Sequence, residues 1–207
     1  MSVPDTEARR IAERFDVSRE SLDRLQVYVD LLAAWNKTIN LIGRSTEPEI
    51  WNRHVADCLQ LLPLMPPGTR AIADLGSGAG LPGLVLAIAR PIKAHLFEAN
   101  LKKAAFLREA ARRMGADAEV HAVRIEEAGA VAVDAVTARA LAPLSELLHL
   151  AEPFFKKGAI GLFHKGQDVE AELTEATKSW RIALRAHPSS TDSRGCILEI
   201  REARRAG

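Results

Sequence analysis

The chain has 207 residues, 47% of them apolar, enough for one doubly wound domain with an extension and a proper core. Its 28 Lys and Arg against 27 Asp and Glu leave a formal charge of +1, so any nucleic-acid contact must come from local clustering rather than bulk charge. Cys58 and Cys196 lie far apart with neither C-x-x-C spacing nor a His at metal-ligand spacing; free thiols in a reducing cytoplasm are expected, with no disulfide and no metal. The longest uninterrupted apolar run, 84–89, is far too short to span a bilayer, so the expectation is a cytosolic protein with no membrane partner.

The first third reads helical. Ser18 can cap a helix that carries Leu22, Leu25, Val29, Leu32 and Trp35 at spacings of three and four, one apolar stripe. A second helix is expected over about 48–64, with Ile50, Trp51, Val55, Cys58, Leu59 and Leu62 on its buried side. The helical spacing of Trp35 and Trp51 points to core packing, with base stacking as the alternative. His54 and Asp57, three apart on one face, read as a helix-fixing pair or as a device that orients a base. Pro63, Pro66, Pro67 and Gly68 then interrupt every periodic pattern. Residues 1–67 are therefore expected to form a helical cap, integral to the domain formed by 68–207.

Beyond that break, strands are expected at 70–75, 93–98, 118–122, 133–138 and 158–164, and helices at 82–90, 101–114, 143–152 and 167–178. Such alternation predicts an α/β fold with a parallel sheet. Two last strands, 180–187 and 195–202, are joined by a turn-rich segment and should pair antiparallel. A seven-stranded sheet with that final hairpin is the plan of class I S-adenosylmethionine-dependent methyltransferases.

The first strand ends in Asp74 and opens into Gly76-Ser77-Gly78-Ala79-Gly80-Leu81-Pro82-Gly83. Glycines permit positive φ and close approach to a ligand, and Pro82 suits the start of a helix. The spacing Gly78-x-Gly80-x-x-Gly83 also matches the dinucleotide fingerprint. A pyrophosphate, however, prefers an uncluttered helix N-terminus, and Asp74 places an acid beside it. S-adenosylmethionine, cationic at its amino group and sulfonium, suits Asp74 better. The second strand ends in Glu98, an acid that can hold ribose hydroxyls in either cofactor. The methyl donor is favoured; a nicotinamide cofactor and a purely structural glycine turn are the alternatives.

In a parallel sheet, ligands sit beyond the carboxyl ends of the strands. The third strand leads to Arg124, Ile125 and Glu126, which could bracket an adenine; the fourth delivers Arg139, and the fifth delivers His164, Lys165 and Gly166. The plainer reading is that Arg139 and Lys165 cap helices or solvate the surface.

Several segments carry a more specific resemblance: Trp35-Asn36-Lys37-x-Ile39-Asn40-Leu41, Arg53-His54-x-x-Asp57-x-Leu59, the 74–83 turn, Lys102-Lys103-x-x-Phe106-Leu107, Arg124-Ile125-Glu126-Glu127 and Thr137-Ala138-Arg139-Ala140. In that order they resemble the bacterial small-subunit rRNA guanine-N7 methyltransferases, the glucose-inhibited division protein B family. The resemblance implies methyl transfer from S-adenosylmethionine to guanine N7 in the 530 hairpin of 16S rRNA. The partner would be the rRNA, the 30S subunit or an assembly intermediate. It implies cofactor contacts at Gly76, Leu81, Ile125, Glu126 and Arg139, which join Asp74, Ser77, Gly78 and Glu98. Ala99, and Cys58 after Asp57, stand where the family commonly has serine.

Guanine N7 exposes a lone pair and bears no proton, so no general base, nucleophilic triad or catalytic metal is expected. Positioning would fall to Arg139, Lys165 and His54. The expected RNA-binding rim is Lys37, Arg44, Arg53, Lys102, Lys103, Arg139 and Lys165. Arg108, Arg112 and Arg113 read as a solvated helix face, and Arg201, Arg204 and Arg205 as a flexible basic tail. With no obvious exposed apolar stripe, a monomer is the default. A class I methyltransferase acting on a protein or small molecule and a non-catalytic nucleotide-binding module remain as competing readings. Ala138-Arg139-Ala140-Leu141, in place of an Asn/Asp-Pro-Pro-aromatic motif, weighs against amino-group methylation.

Overall fold

The structure, a computed structural model, describes residues 5–129 and 131–206. Two capped helices open it. Asp5 accepts from the Ala8 amide at 2.9 Å to start α1 (Thr6–Arg14), and Ser18 accepts from the Ser21 amide at 3.1 Å to start α2 (Arg19–Asn36). The expected stripe of α2 is buried at Leu22, Leu25, Val29 and Leu32, while Trp35 meets Phe106 edge-on, with centroids 5.6 Å apart. Trp51 is also buried, so both indoles pack rather than present a free face.

The helical stretch expected over 48–64 forms as an irregular run, with Ile50, Trp51, Val55, Cys58 and Leu59 buried as expected. The chain makes a 3-10 stretch at Arg44–Glu49, a π-helical stretch at Trp51–Ala56, one α turn, α3 (Asp57–Leu59), and a last 3-10 turn at Leu62–Leu64. Pro48 supplies no amide donor and tightens the first piece, and Pro63 does the same to the last. Wide π turns are concentrated at functional sites. This one carries Arg53 and His54.

Among the described residues, seven strands form one sheet in the order β3-β2-β1-β4-β5-β7-β6: β1 (Ala71–Leu75), β2 (Lys93–Phe97), β3 (Ala118–His121), β4 (Ala135–Arg139), β5 (Ile160–Lys165), β6 (Trp180–Pro188) and β7 (Cys196–Arg205). β1 to β5 pair in parallel, and β7 runs antiparallel to both β5 and β6. Helices α4 (Gly83–Ala89), α5 (Leu101–Met114), α7 (Leu144–Phe155) and α8 (Val169–Ala176) follow β1, β2, β4 and β5, and a short α6 (Ile125–Ala128) follows β3. One apolar cluster joins α1 and α2 to α4 and α5, and a second packs α7 with β4, β5 and β7. The order reverses at β1, which pairs with β2 on one side and β4 on the other; the crevice at that switch point is where such sheets bind ligands.

The C-terminal arginines are not a flexible tail. They lie in β7, where Arg201 pairs with Glu199 at 2.7 Å, Arg204 with Glu202, and Arg205 with Glu152 at 3.0 Å over the Trp180 ring. A charged run reads as a tail in one dimension, but here Arg201 and Arg204 each pair with a glutamate two residues back in the same strand, and Arg205 reaches Glu152 of α7.

Gly83 sets how closely α4 lies on β1. A Cβ there would stand 2.5 Å from Asp74 Cβ and 2.7 Å from Leu96 Cδ2, both side chains of buried strands. Gly83→Val is expected to cost about 3 kcal/mol or more, since overpacking in a rigid interior costs ~1–3 kcal/mol even for single methylenes. Urea unfolding checks this; an unchanged midpoint would show that α4 can move away freely.

Candidate active site

Asp74 ends β1 fully buried, and its Oδ1 accepts from the Thr137 hydroxyl of β4 at 2.8 Å. Its Oδ2 has no hydrogen-bond partner among the described residues. Burial pushes this carboxyl up from the ordinary 3.8 to about 6, against the pull of the Thr137 hydrogen bond. The turn above it is clamped from three directions. Tyr28 donates to the Ala79 carbonyl at 2.8 Å, the Ser77 amide donates to the Phe97 carbonyl at 3.0 Å, and the Gly78 amide donates to Glu98 Oε2 at 2.8 Å. The other Glu98 oxygen accepts from the Asn100 amide at 2.7 Å. Gly76 has φ +68° and no room for a side chain: a Cβ would lie 2.5 Å from Leu141 Cδ1.

Over this turn opens a cavity of about 360 Å³, lined by Gly76, Gly78, Glu98, Lys103, Ile125 and Glu126 among others, and bounded by Ala140, Leu141 and Ala142. Those three residues also border a second cavity of about 610 Å³, lined on its other sides by Arg53, Asp57, Arg139, His164, Lys165, Glu172, Thr191 and Asp192. A three-residue wall thus separates an acid-and-glycine chamber from a cation-lined one. Ala140, at φ 51°, adopts a left-handed backbone that non-glycine residues reach only with strain. That conformation turns the chain from β4 into the wall.

The wall and the cap are held by the cations. Arg139 Nε meets Asp57 Oδ2 at 3.1 Å, and its Nη2 donates to the Arg53 carbonyl and to His54 Nδ1, each at 3.0 Å. Because a guanidinium only donates, His54 Nδ1 accepts, which puts the ring proton on Nε2, 2.8 Å from Thr46 Oγ1. Burial and the neighbouring Arg139 lower His54 to about 4. Asp57 also accepts from Thr191 Oγ1 at 2.6 Å and Gln60 Nε2 at 2.7 Å. His54 and Asp57 therefore do not fix their own helix as a mutual pair; each is turned toward Arg139. The Lys165 ammonium donates to the Ala142 carbonyl at 3.1 Å and pairs with Glu172, which in turn accepts from the Leu144 amide at 2.6 Å. Arg53 reaches Asp192 of the β6–β7 turn at 3.2 Å.

Of the residues expected to contact a cofactor, Gly76, Gly78, Glu98, Ile125 and Glu126 line the smaller cavity. Asp74, Ser77 and Leu81 are buried beneath the turn, and the Arg139 side chain belongs to the larger cavity. Among the expected RNA contacts, Arg53, Arg139 and Lys165 line the larger cavity and Lys103 the smaller one. Lys37, Arg44 and Lys102 are exposed and border neither; Arg44 lies along a groove with Asn40 and Leu41. Tyr28, Glu172, Thr191 and Asp192 carry no signal in the sequence, and Thr137 and Leu141 stand there only inside the quoted 137–141 motifs. Each acts across 28 or more positions of chain, for example Tyr28 on Ala79 and Glu172 on Leu144.

A sequence model of the family described as rRNA small subunit methyltransferase G matches residues 21–194. The chain belongs to this family. The curated rRNA small subunit methyltransferase G of Rhodospirillum centenum is 52% identical over 98% of this chain and 94% of its own length. That of Paramagnetospirillum magneticum is 48% identical over 91% and 92%. Among solved structures, an O-methyltransferase from Bacillus cereus in complex with SAH superposes with a TM-score of 0.57 at 14% identity, over 87% of this chain and 91% of that one. A ribosomal protein L11 methylase from Lactobacillus delbrueckii gives 0.55 at 16% identity, over 72% and 77%. The fold of this family member is that of class I S-adenosylmethionine-dependent methyltransferases, as its strand order and terminal hairpin already indicate.

The raised Asp74 pKa has a thermodynamic consequence. Between pH 4 and 6 the folded chain keeps a proton that an unfolded Asp has released, so this residue's contribution is full below pH 4 and is lost as pH rises through about 6. At ~1.4 kcal/mol per pH unit, the ionised carboxylate costs the ligand-free protein about 3 kcal/mol near neutrality. Asp74→Asn cannot ionise. Its stability relative to wild type, measured by urea unfolding, should improve by about 2–3 kcal/mol from pH 4 to pH 7; a constant difference would show that Asp74 titrates normally.

Proposed function

We propose that this small-subunit rRNA methyltransferase transfers the methyl group of S-adenosylmethionine to N7 of a guanine in the 530 hairpin of 16S rRNA. The observation that carries the reading is the pair of chambers sharing the Ala140–Leu141–Ala142 wall, one acidic and glycine-lined, the other bordered by Arg53, Arg139 and Lys165.

The smaller chamber fits the cofactor in three respects. The unpartnered Asp74 Oδ2 lies under the turn and gives it negative potential, which suits a cationic methyl donor and opposes a pyrophosphate. Gly76 leaves a backbone surface that a side chain would fill. Glu98, pinned by two amides, keeps further acceptor capacity toward the cavity for ribose hydroxyls. When bound, S-adenosylmethionine supplies an electrophilic methyl group. Ile125 and Glu126 would border its adenine, and Leu141 would divide it from the acceptor.

The larger chamber would receive the guanine. N7 is already nucleophilic and has no proton to lose, so the protein need only orient and desolvate it; in-line orientation is worth up to about 7–11 kcal/mol in the best intramolecular cases. His54 fits this economy, because its two ring nitrogens are taken by Arg139 and Thr46. Arg139 and Lys165 would position the base and the wall, with Asp57 and Glu172 compensating their charge. Arg53 and Lys103 at the two cavities, with the exposed Lys37, Arg44 and Lys102 outside them, would meet RNA phosphates, making binding fall steeply with salt.

Small subunits purified from cells lacking the enzyme, incubated with labelled S-adenosylmethionine, should yield label in 7-methylguanosine within the 530 hairpin. Arg139→Ala should abolish the labelling while leaving cofactor affinity within a few-fold. Unlabelled subunits in the presence of tight cofactor binding would refute the substrate and direct attention to protein or small-molecule acceptors. Glu98→Gln separately tests the cofactor chamber: losing hydrogen bonds to a charged acceptor, about 1.5–3 kcal/mol, should raise the cofactor Kd by about tenfold or more in calorimetry.

A further inference from the structure

The β2–β3 edge of the sheet carries a side-chain cluster outside both chambers. In the parallel register His95 stands opposite Glu119 and Phe97 opposite His121, so alternation along the strands gathers His95, Glu119 and His121 on one face. The His121 ring stacks on Phe97 with centroids 4.6 Å and planes 13° apart, and its Nε2 is 3.1 Å from His95 Nδ1. Glu119 Oε2 is 3.6 Å from His95 Nδ1, and Glu119 Oε1 is 3.8 Å from His121 Nε2. The ligand atoms all fall within 4.8 Å of one another. The two ring nitrogens at 3.1 Å need one donor and one acceptor, so a single proton is shared between them.

We propose that His95, Glu119 and His121 form a binding site for a divalent d-block cation of the zinc type, with an open fourth coordination position. Zinc holds imidazole nitrogen and carboxylate oxygen at ~2.0–2.2 Å, which sets the edge of a tetrahedron at about 3.4 Å. The ring nitrogens are 3.1 Å apart and each lies 3.6–3.8 Å from a different Glu119 oxygen, with one ligand atom from each residue all within 4.8 Å, so rotation of the half-exposed Glu119 carboxylate brings one oxygen onto that edge. Two imidazoles with one carboxylate select Zn²⁺, Co²⁺ or Ni²⁺ over Mg²⁺ and Ca²⁺, which take oxygen ligands.

Access and competition are also favourable. His95 is buried and held on a strand, while Glu119 is half exposed and leaves the outer side open. Glu119 Oε2 is paired with Lys93 Nζ at 3.1 Å, an exposed ion pair of the kind that contributes little. The cation would take the place of the shared proton, which moves to the other nitrogen of its own ring, and would displace that ammonium and tie the edge strand β3 to β2. The segment following β3, with Val123 to Glu126, borders the smaller chamber.

Tag-free full-length protein, stripped with EDTA and titrated calorimetrically with Zn²⁺ at pH 7.5, should bind one equivalent, and Co²⁺ should give the visible d–d absorption of a low-coordinate site. His121→Gln and Glu119→Gln should each weaken Zn²⁺ by about tenfold or more. Lys93→Gln should tighten it a few-fold by removing the competing ammonium, which a purely structural role for the cluster would not produce. His187→Gln, at the separate His187–Glu199 pair, should change nothing. Urea midpoints in EDTA check that each variant is folded; if His121→Gln is not, the exposed Glu119→Gln carries the test. Binding that survives Glu119→Gln unchanged, that disappears with His187→Gln, or that needs millimolar Zn²⁺ in the wild type would overturn the site.

Discussion

A guanidinium at the carboxyl end of β4 holds the cap to the sheet. Arg139 is largely buried and meets Asp57, the Arg53 carbonyl and His54, all on the irregular helical segment before β1. Removing one partner from such a buried pair costs about 3–5 kcal/mol, because the remaining charge is left without solvent or counter-ion. The shape of the larger chamber depends on this contact: its roof is the cap, its floor is the end of the sheet, and Arg139 joins them. The π turn follows the same constraint, for it is the segment that turns the Arg53 carbonyl and His54 toward one guanidinium.

The two chambers divide the electrostatics between them. Under the glycine turn, a fully buried carboxylate oxygen of Asp74 sits near Glu98, so acids gather beneath and beside the smaller chamber. On the other side of Leu141, three cations are each offset by an acid, Arg53 by Asp192, Arg139 by Asp57 and Lys165 by Glu172. Those pairs keep the cations ordered without a ligand. They also mean that an entering polyanion competes with carboxylates that are already seated.

Much of this architecture was legible along the chain because it depends on short-range rules. Ser18 caps its helix as expected, and the 101–114 helix has the expected limits, which the structure shows to be set by the Asn100 cap and a left-handed Gly115. The alternating strands pair as anticipated, down to the antiparallel final hairpin. The 48–64 segment is helical as its apolar spacing indicates but irregular: Pro48 lies in a 3-10 stretch, and a π stretch carries the Arg53 carbonyl that accepts from Arg139. Arg201, Arg204 and Arg205 misled in the opposite way: they continue strand β7, where Glu199 and Glu202 are local partners, and only the Arg205–Glu152 pair is made by packing.

The sequence by itself determined the parallel sheet, the glycine turn after Asp74, the acid at Glu98 and the family to which the chain belongs. Each is written in contiguous residues whose backbone preferences and spacings act within a few positions. Tertiary structure alone decided which cation serves which chamber, that Leu141 is the wall between them, and that Thr137 and Tyr28 hold Asp74 and the turn. It also brought His95 beside His121, a strand and a helix away in the chain. Those relations arise only when strands align in register and a cap closes over their ends, and side-chain contacts at that range leave no periodicity in the chain to read.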